Sequence, residues 1–154
     1  MQHLQTTHQL RAYAVGLLVS LALLATGACS SESPEQALRE QVASMQAAIE
    51  ARNAGDVHAI LADDFIGNDG LDRRGARQLA VATFLRHRDI AARFGPVQVE
   101  MRGQGSAIAR FTVLATGGTG GLMPDSGQVF DVETGWRSVD GNWRLLSASW
   151  KPRL

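Results

Sequence analysis

Two adjacent carboxylates, Asp63 and Asp64, are the residues of this chain best suited to moving a proton, with His87 and Arg137 as groups that could assist them. Neighbouring side chains on a helix diverge by roughly a quarter turn or more, so one aspartate can face a pocket while the other caps or solvates. Walled by Phe65, Trp136 and Trp150, the inward one would be desolvated, its pKa would rise, and it would suit general acid or base work. The more ordinary role of the pair is to end a helix and orient the turn Asn68-Asp69-Gly70. An acidic pair at a helix C-terminus opposes the macrodipole, which hints at something beyond helix stability.

His87 shares a predicted helix face with Phe84 and Ala91; a lone inward histidine is more often a satisfied core residue than a catalyst. Arg137 beside Trp136 suits a carboxylate clamp or stacking on an indole, or more simply a surface pair with Asp140 or Glu133. Alternation sets Phe130, Val132 and Trp136 on one strand face and Asp131, Glu133 and Arg137 on the other.

Other chemistries find no support. His58 and His87 lie on separate elements, so no metal site is predicted. Gly117-Gly118-Thr119-Gly120-Gly121 lacks the ending of a phosphate loop, and the third glycine of a dinucleotide fingerprint would fall on Met123. No cofactor is therefore expected, and this segment reads as a strand connection with Leu122 and Met123 at its tip. Covalent catalysis lacks a cysteine nucleophile or a Ser-His-Asp signature. Lysine plus arginine and aspartate plus glutamate both number 15, so no basic surplus attracts nucleic acid.

The elements that must position these groups are legible in order. Ser33 and Pro34 begin a helix running to about Arg52, with Leu38, Val42, Met45 and Ile49 at helical spacing. Asp56 is the expected cap of a second helix over 57–62, leading into Asp63-Asp64-Phe65. A third is predicted from Arg73 to Arg93, with Ala80, Phe84, His87, Ala91 and Phe94 along one face. Strands follow over 97–101, 107–115, 129–139 and 142–150, the last two joined at Asp140-Gly141. On the last strand Trp143 and Leu145 fall on one face, and Leu146, Ala148 and Trp150 on the other. A sheet apolar on both faces points to a covered outer face. The fold class is α+β: three N-terminal helices packed in a strongly bent antiparallel sheet of about four to six strands.

The N-terminal segment has its own signature. Arg11 precedes the apolar runs 14–19 and 21–24, and small residues then lead into Cys29, the only cysteine. This is the layout of a secretory signal. A plain span needs about 20 apolar residues, and Ser20 and Thr26-Gly27-Ala28 interrupt the run. Ala25-Thr26-Gly27-Ala28-Cys29 resembles the lipobox of bacterial lipoproteins, with Thr26 in place of the favoured leucine. The resemblance implies a signal over 1–28, an acylated Cys29 with a short tether over 29–34, and one domain over 35–154. It implies an envelope protein held on the lipid bilayer and facing the periplasm. Ser30 after the cysteine resembles the outer-membrane default of Gram-negative hosts.

Three segments carry a second resemblance: Ile49-Glu50-Ala51-Arg52-Asn53-Ala54-Gly55-Asp56, Ile60-Leu61-Ala62-Asp63-Asp64-Phe65, and the hairpin 135–145. Together they resemble the nuclear-transport-factor-2-like, or SnoaL-like, superfamily, the cystatin-like cone, over about residues 35–152. The resemblance implies a bent sheet around helices with a pocket at the open end, and makes Asp64 the likelier cavity group. Ligand contacts are then expected from Phe65, Phe84, Trp136, Trp150 and Arg137. Tyrosine-dependent relatives offer no transferable site, because the sole tyrosine, Tyr13, lies in the signal. An epoxide-hydrolase-like set would need Asp64, Arg137 and Asp131 together. The expected function is non-catalytic binding of a small apolar ligand or an envelope protein. The alternatives are a cofactor-independent hydrolase, isomerase or dehydratase using Asp64 with His87 or Arg137, and a homodimeric assembly module.

Overall fold

The computed structural model describes residues 32–118 and 126–153. The predicted signal, Cys29, and the loop residues Gly120, Gly121, Leu122 and Met123 lie outside them. Helix α1 (Pro34–Glu50) begins where Ser33 accepts a hydrogen bond from the Gln36 N–H at 3.2 Å, and it buries Leu38, Val42 and Ala48. Two long-range bonds fix it: the Trp143 indole donates to Pro34 O at 3.0 Å, and Arg39 donates to Val97 O at 2.7 Å.

Helix α2 (Ala54–Ile60) is capped by Asn53, not by the expected Asp56. The Asn53 side chain accepts from Gly55 and Asp56 N–H, and Asp56 lies in the first turn beside the positive end of the dipole. The helix stops at Ile60, two residues short of expectation. Leu61–Ile66 is strand β1, so Asp63 and Asp64 sit on a strand rather than at a helix end, and the macrodipole argument for them lapses.

After a 3-10 turn at Asn68–Gly70 comes helix α3 (Arg73–Arg86), capped by Asp72. The predicted extension to Arg93 is wrong. His87 turns into extended backbone, and Asp89–Phe94 forms strand β2, whose backbone groups pair along β4 (Ser106–Gly118). Phe94 thereby stacks on Phe111 with ring centroids 4.8 Å apart, a contact between elements that a helical pattern does not register. Arg52 stands in for the missing turn, donating to Phe84 O and Arg88 O at 2.9 Å each.

Strands β3 (Gln98–Met101), β5 (Ser126–Val139) and β6 (Asn142–Pro152) complete a six-stranded, curved and unclosed sheet in the order β1-β6-β5-β4-β2, with β3 also on β4. Every pairing is antiparallel except β1–β6, which is parallel and departs from the expected all-antiparallel sheet. Asp140 and Gly141 both take positive φ, 51° and 80°, the geometry of a tight I′ hairpin turn.

One irregularity shapes the interior. Gly135 pairs with Ser147 but Trp136 pairs with Leu145, so Leu146 is an extra residue on β6. A bulge of one residue shifts the alternation. Leu145, Ala148 and Trp150 therefore all line the same cavity, contrary to the reading that set Leu145 apart from the other two. The inference of a covered outer face drew on that reading and loses its basis. Gly135 makes room at the bulge for the Ser147 hydroxyl, since a Cβ there would stand 2.5 Å from Ser147 Oγ and require it to rotate away.

Candidate functional site

The curved sheet and the three helices line an open-mouthed cavity of about 490 Å³. Helix α1 contributes Met45 and Ile49, α3 contributes Ala80, Thr83 and Phe84, and the sheet contributes Phe65, Phe111, Thr134 and Trp150. The lining follows from periodicity: Ala76, Ala80 and Thr83 lie four and three residues apart, so their small side chains form one inward row. None of the described lining residues is titratable. Its polar groups are the threonine hydroxyls and the Trp150 indole, and the Thr134 hydroxyl is already engaged. Trp136 donates its indole N–H to Thr134 Oγ1 at 2.8 Å, and that hydroxyl donates to Ala109 O at 3.0 Å.

Of the expected ligand contacts, Phe65, Phe84 and Trp150 line the cavity. Trp136 does not; at 1% exposure it is packed beneath the lining, its one polar atom satisfied. Arg137 is on the opposite side of its strand and lies outside the lining. Its guanidinium grips Asp64 with both terminal nitrogens, at 3.1 and 2.6 Å, on the outside of the sheet. Of the surface partners expected for it, Glu133 binds Arg110 instead, at 2.6 Å, and Asp131, the third member of the epoxide-hydrolase-like set, binds Arg153. The Asp64-Arg137-Asp131 set is thus only two-thirds assembled.

Asp64 is also electrostatically unlike a pocket acid. Hydrogen bonds from Arg137, then its own backbone, lower its pKa from 3.8, outweighing the opposing effect of burial. The raised value expected for a walled-in carboxyl is reversed, because Phe65 points inward while Asp64 points out. Asp63 is bound to Arg73 at 2.7 Å. His87 ends α3, and its ring packs on the Gly117 backbone, where a Cβ would meet Nδ1 at 3.1 Å. Ala91 is on β2, so the helix face that was to aim His87 inward does not exist. The structure therefore brings Asp64 and Arg137 together and leaves His87 apart from both the pair and the cavity lining. His58 has its pKa lowered from 6.5, by desolvation first and by Arg73 and Arg77 next, with Asp63 opposing.

Sequence reasoning missed the α1 residues, Thr134 and the small α3 row. Thr134 shares the strand face of Val132 and Trp136 and was findable by alternation. Ala76 and Ala80 were signalled only by their size.

No family model matches the chain, and no curated protein matches it. Solved structures do. An uncharacterised protein with a cystatin-like fold from Caulobacter vibrioides superposes with a TM-score of 0.64 at 14% identity, over 77% of this chain and 88% of that one. The fold is cystatin-like. An NTF2-like protein of unknown function from Pseudomonas putida gives 0.63 at 15% identity, over 74% and 82% of the two chains. The hexachlorocyclohexane dehydrochlorinase LinA-type3 from Novosphingobium barchaimii gives 0.62 at 15% identity, over 77% and 85%. Among the described residues of this cystatin-like chain, no helix is long and apolar enough to cross a membrane.

Proposed function

We propose that this domain binds a small apolar molecule in its interior cavity without transforming it, and that an acylated Cys29 tethers it to a membrane of a bacterial envelope. The observation that carries the first part is the cavity itself: about 490 Å³, with no titratable group among its described lining residues. Ligand sites commonly occupy about 300–1,000 Å³ and are mostly apolar. The tether is supported by the small-residue run into a single cysteine.

A second reading, proton-transfer catalysis of an elimination, is favoured by the dehydrochlorinase that shares the fold. General acid–base work needs a titratable group within hydrogen-bond reach of the substrate. Asp64 points away from the cavity, so the binding reading is preferred.

The test uses N-phenyl-1-naphthylamine, an uncharged fluorophore that brightens in apolar surroundings. The Ser33–Leu154 unit is expected to give a saturable increase, lost in Ala80→Phe, which fills the cavity. No saturable signal, or one unchanged in the filled variant, would overturn the proposal.

A further inference from the structure

The outward side of α3 combines exposed apolar and cationic side chains. Among the described residues six large apolar side chains are exposed, and three stand on this one helix: Leu79 at 51%, Val81 at 40% and Leu85 at 78%. Scattered single exposures are ordinary, and Leu79 also lines the cavity; Val81 and Leu85, one turn apart, form the outward apolar pair. At helical spacing Arg74, Gln78, Val81 and Leu85 fall on one stripe. That stripe is opposite Ala76, Ala80 and Thr83, the row that lines the cavity. Arg77 flanks it on one side and Arg86 lies round toward the other, whereas Leu79 lines the cavity.

The charges on this face are unpaired. Arg74, Arg77 and Arg86, and Arg88 just beyond the helix, form no salt bridge among the described residues. No carboxylate lies within α3. The flanking ones are Asp72, occupied in capping the Gly75 N–H, and Asp89. The whole chain has no net charge, so this is a local excess of positive charge.

We infer that α3 docks on an anionic lipid surface, with Val81 and Leu85 entering the headgroup boundary and Arg74, Arg77 and Arg86 meeting lipid phosphates. A helix with apolar and basic residues sharing an exposed face suits that boundary, because long arginine side chains reach phosphates while their stems stay among apolar groups. Charge complementarity selects anionic lipid. The tether adds nearness: three residues separate Cys29 from the α1 cap Ser33, a span of at most roughly 14 Å. That nearness rests on the acylated Cys29 proposed above, whereas the charge pattern does not. Docked this way, the helix that walls the cavity lies against lipid, from which an apolar ligand would partition.

The test is made on the full chain with Cys29→Ser, so that an engineered thiol is the only one. A polarity-sensitive fluorophore is attached at Leu85→Cys, or at Ser149→Cys on the outer sheet face as a control. Vesicles of phosphatidylcholine, with or without phosphatidylglycerol, carry lipid-borne quenchers. The expected result is quenching at position 85 only, only with phosphatidylglycerol, and reversed by salt. Replacing Arg74, Arg77 and Arg86 by glutamine should weaken docking about a hundredfold. Circular dichroism unchanged from the parent shows that the variants fold. A label at 85 that stays in water, or equal quenching at 85 and 149, would overturn the inference. So would burial of the label by self-association without vesicles, which would assign the face to a second copy of the chain. None of these readouts depends on whether the cavity binds a ligand.

Discussion

Arg137 on β5 holds the Asp64 carboxylate of β1 with two hydrogen bonds, reaching across β6, which lies between those strands in the sheet. The pair ties an edge strand to the sheet on the side away from the cavity. Since the folded pKa of Asp64 is lowered, chiefly by the Arg137 hydrogen bonds, its contribution is present above the unfolded value and lost as pH falls through the folded one. Asp64→Asn is expected to lower Tm slightly at neutral pH, with the difference vanishing in acid. Side-chain NMR should place the Asp64 midpoint below 3.8. A midpoint above that value would return Asp64 to the list of pocket acids.

Glu100, held by Arg110 first and Arg102 next, has its pKa lowered as well, and His58 is lowered by desolvation. All three groups bind protons less readily when folded, so they bias stability in one direction: it falls toward acid. Thermal melts across the acid range should show His58→Gln flattening the limb below 6.5 and Glu100→Gln the limb below 4.5. Melts of both variants parallel to the parent's would refute the assignment.

The buried relay from Trp136 through Thr134 to Ala109 O predicts an isosteric lesion. Thr134→Val keeps the shape but orphans the indole N–H at a site about 1% exposed. An unsatisfied buried donor costs about 1–3 kcal/mol. Denaturant melts should show that loss with an unchanged slope; a neutral variant would mean the relay contributes nothing.

The bulge at Leu146 predicts a register effect. Deleting Leu146, the extra residue, would close the bulge and leave Leu145, Ala148 and Trp150 on the cavity face in simple alternation. Trp150 emission and naphthylamine binding should therefore stay as in the parent. A red-shifted spectrum with binding lost would show that the strand slips instead, and would contradict this account of the bulge.

The sequence disclosed the parts of the fold that rest on local rules. Ser33 at a helix start, Asp140-Gly141 at a turn, and alternation along 129–139 each act within a few residues. What escaped was decided between distant segments. Leu61 and Ala62 read as a helix end until β6 offers Leu61–Ile66 a parallel partner, and 89–93 continues a helical pattern until β4 claims its backbone. Leu146 was invisible because a bulge exists only relative to the paired strand. For the site, the aromatic lining at Phe65, Phe84 and Trp150 was an expectation of the cone-fold resemblance, and plain alternation had set Trp150 apart from Leu145. The direction of Asp64 was not, since it depends on β1 being a strand.

The most direct test of apolar binding follows the methyl NMR signals of Ala76, Ala80 and Ala148 while naphthalene is added. These three methyls lie on opposite walls of the cavity, on α3 and β6. Saturable shifts at all three, absent in Ala80→Phe for the two that remain, are the predicted result. Unmoved methyls at saturating naphthalene would contradict it.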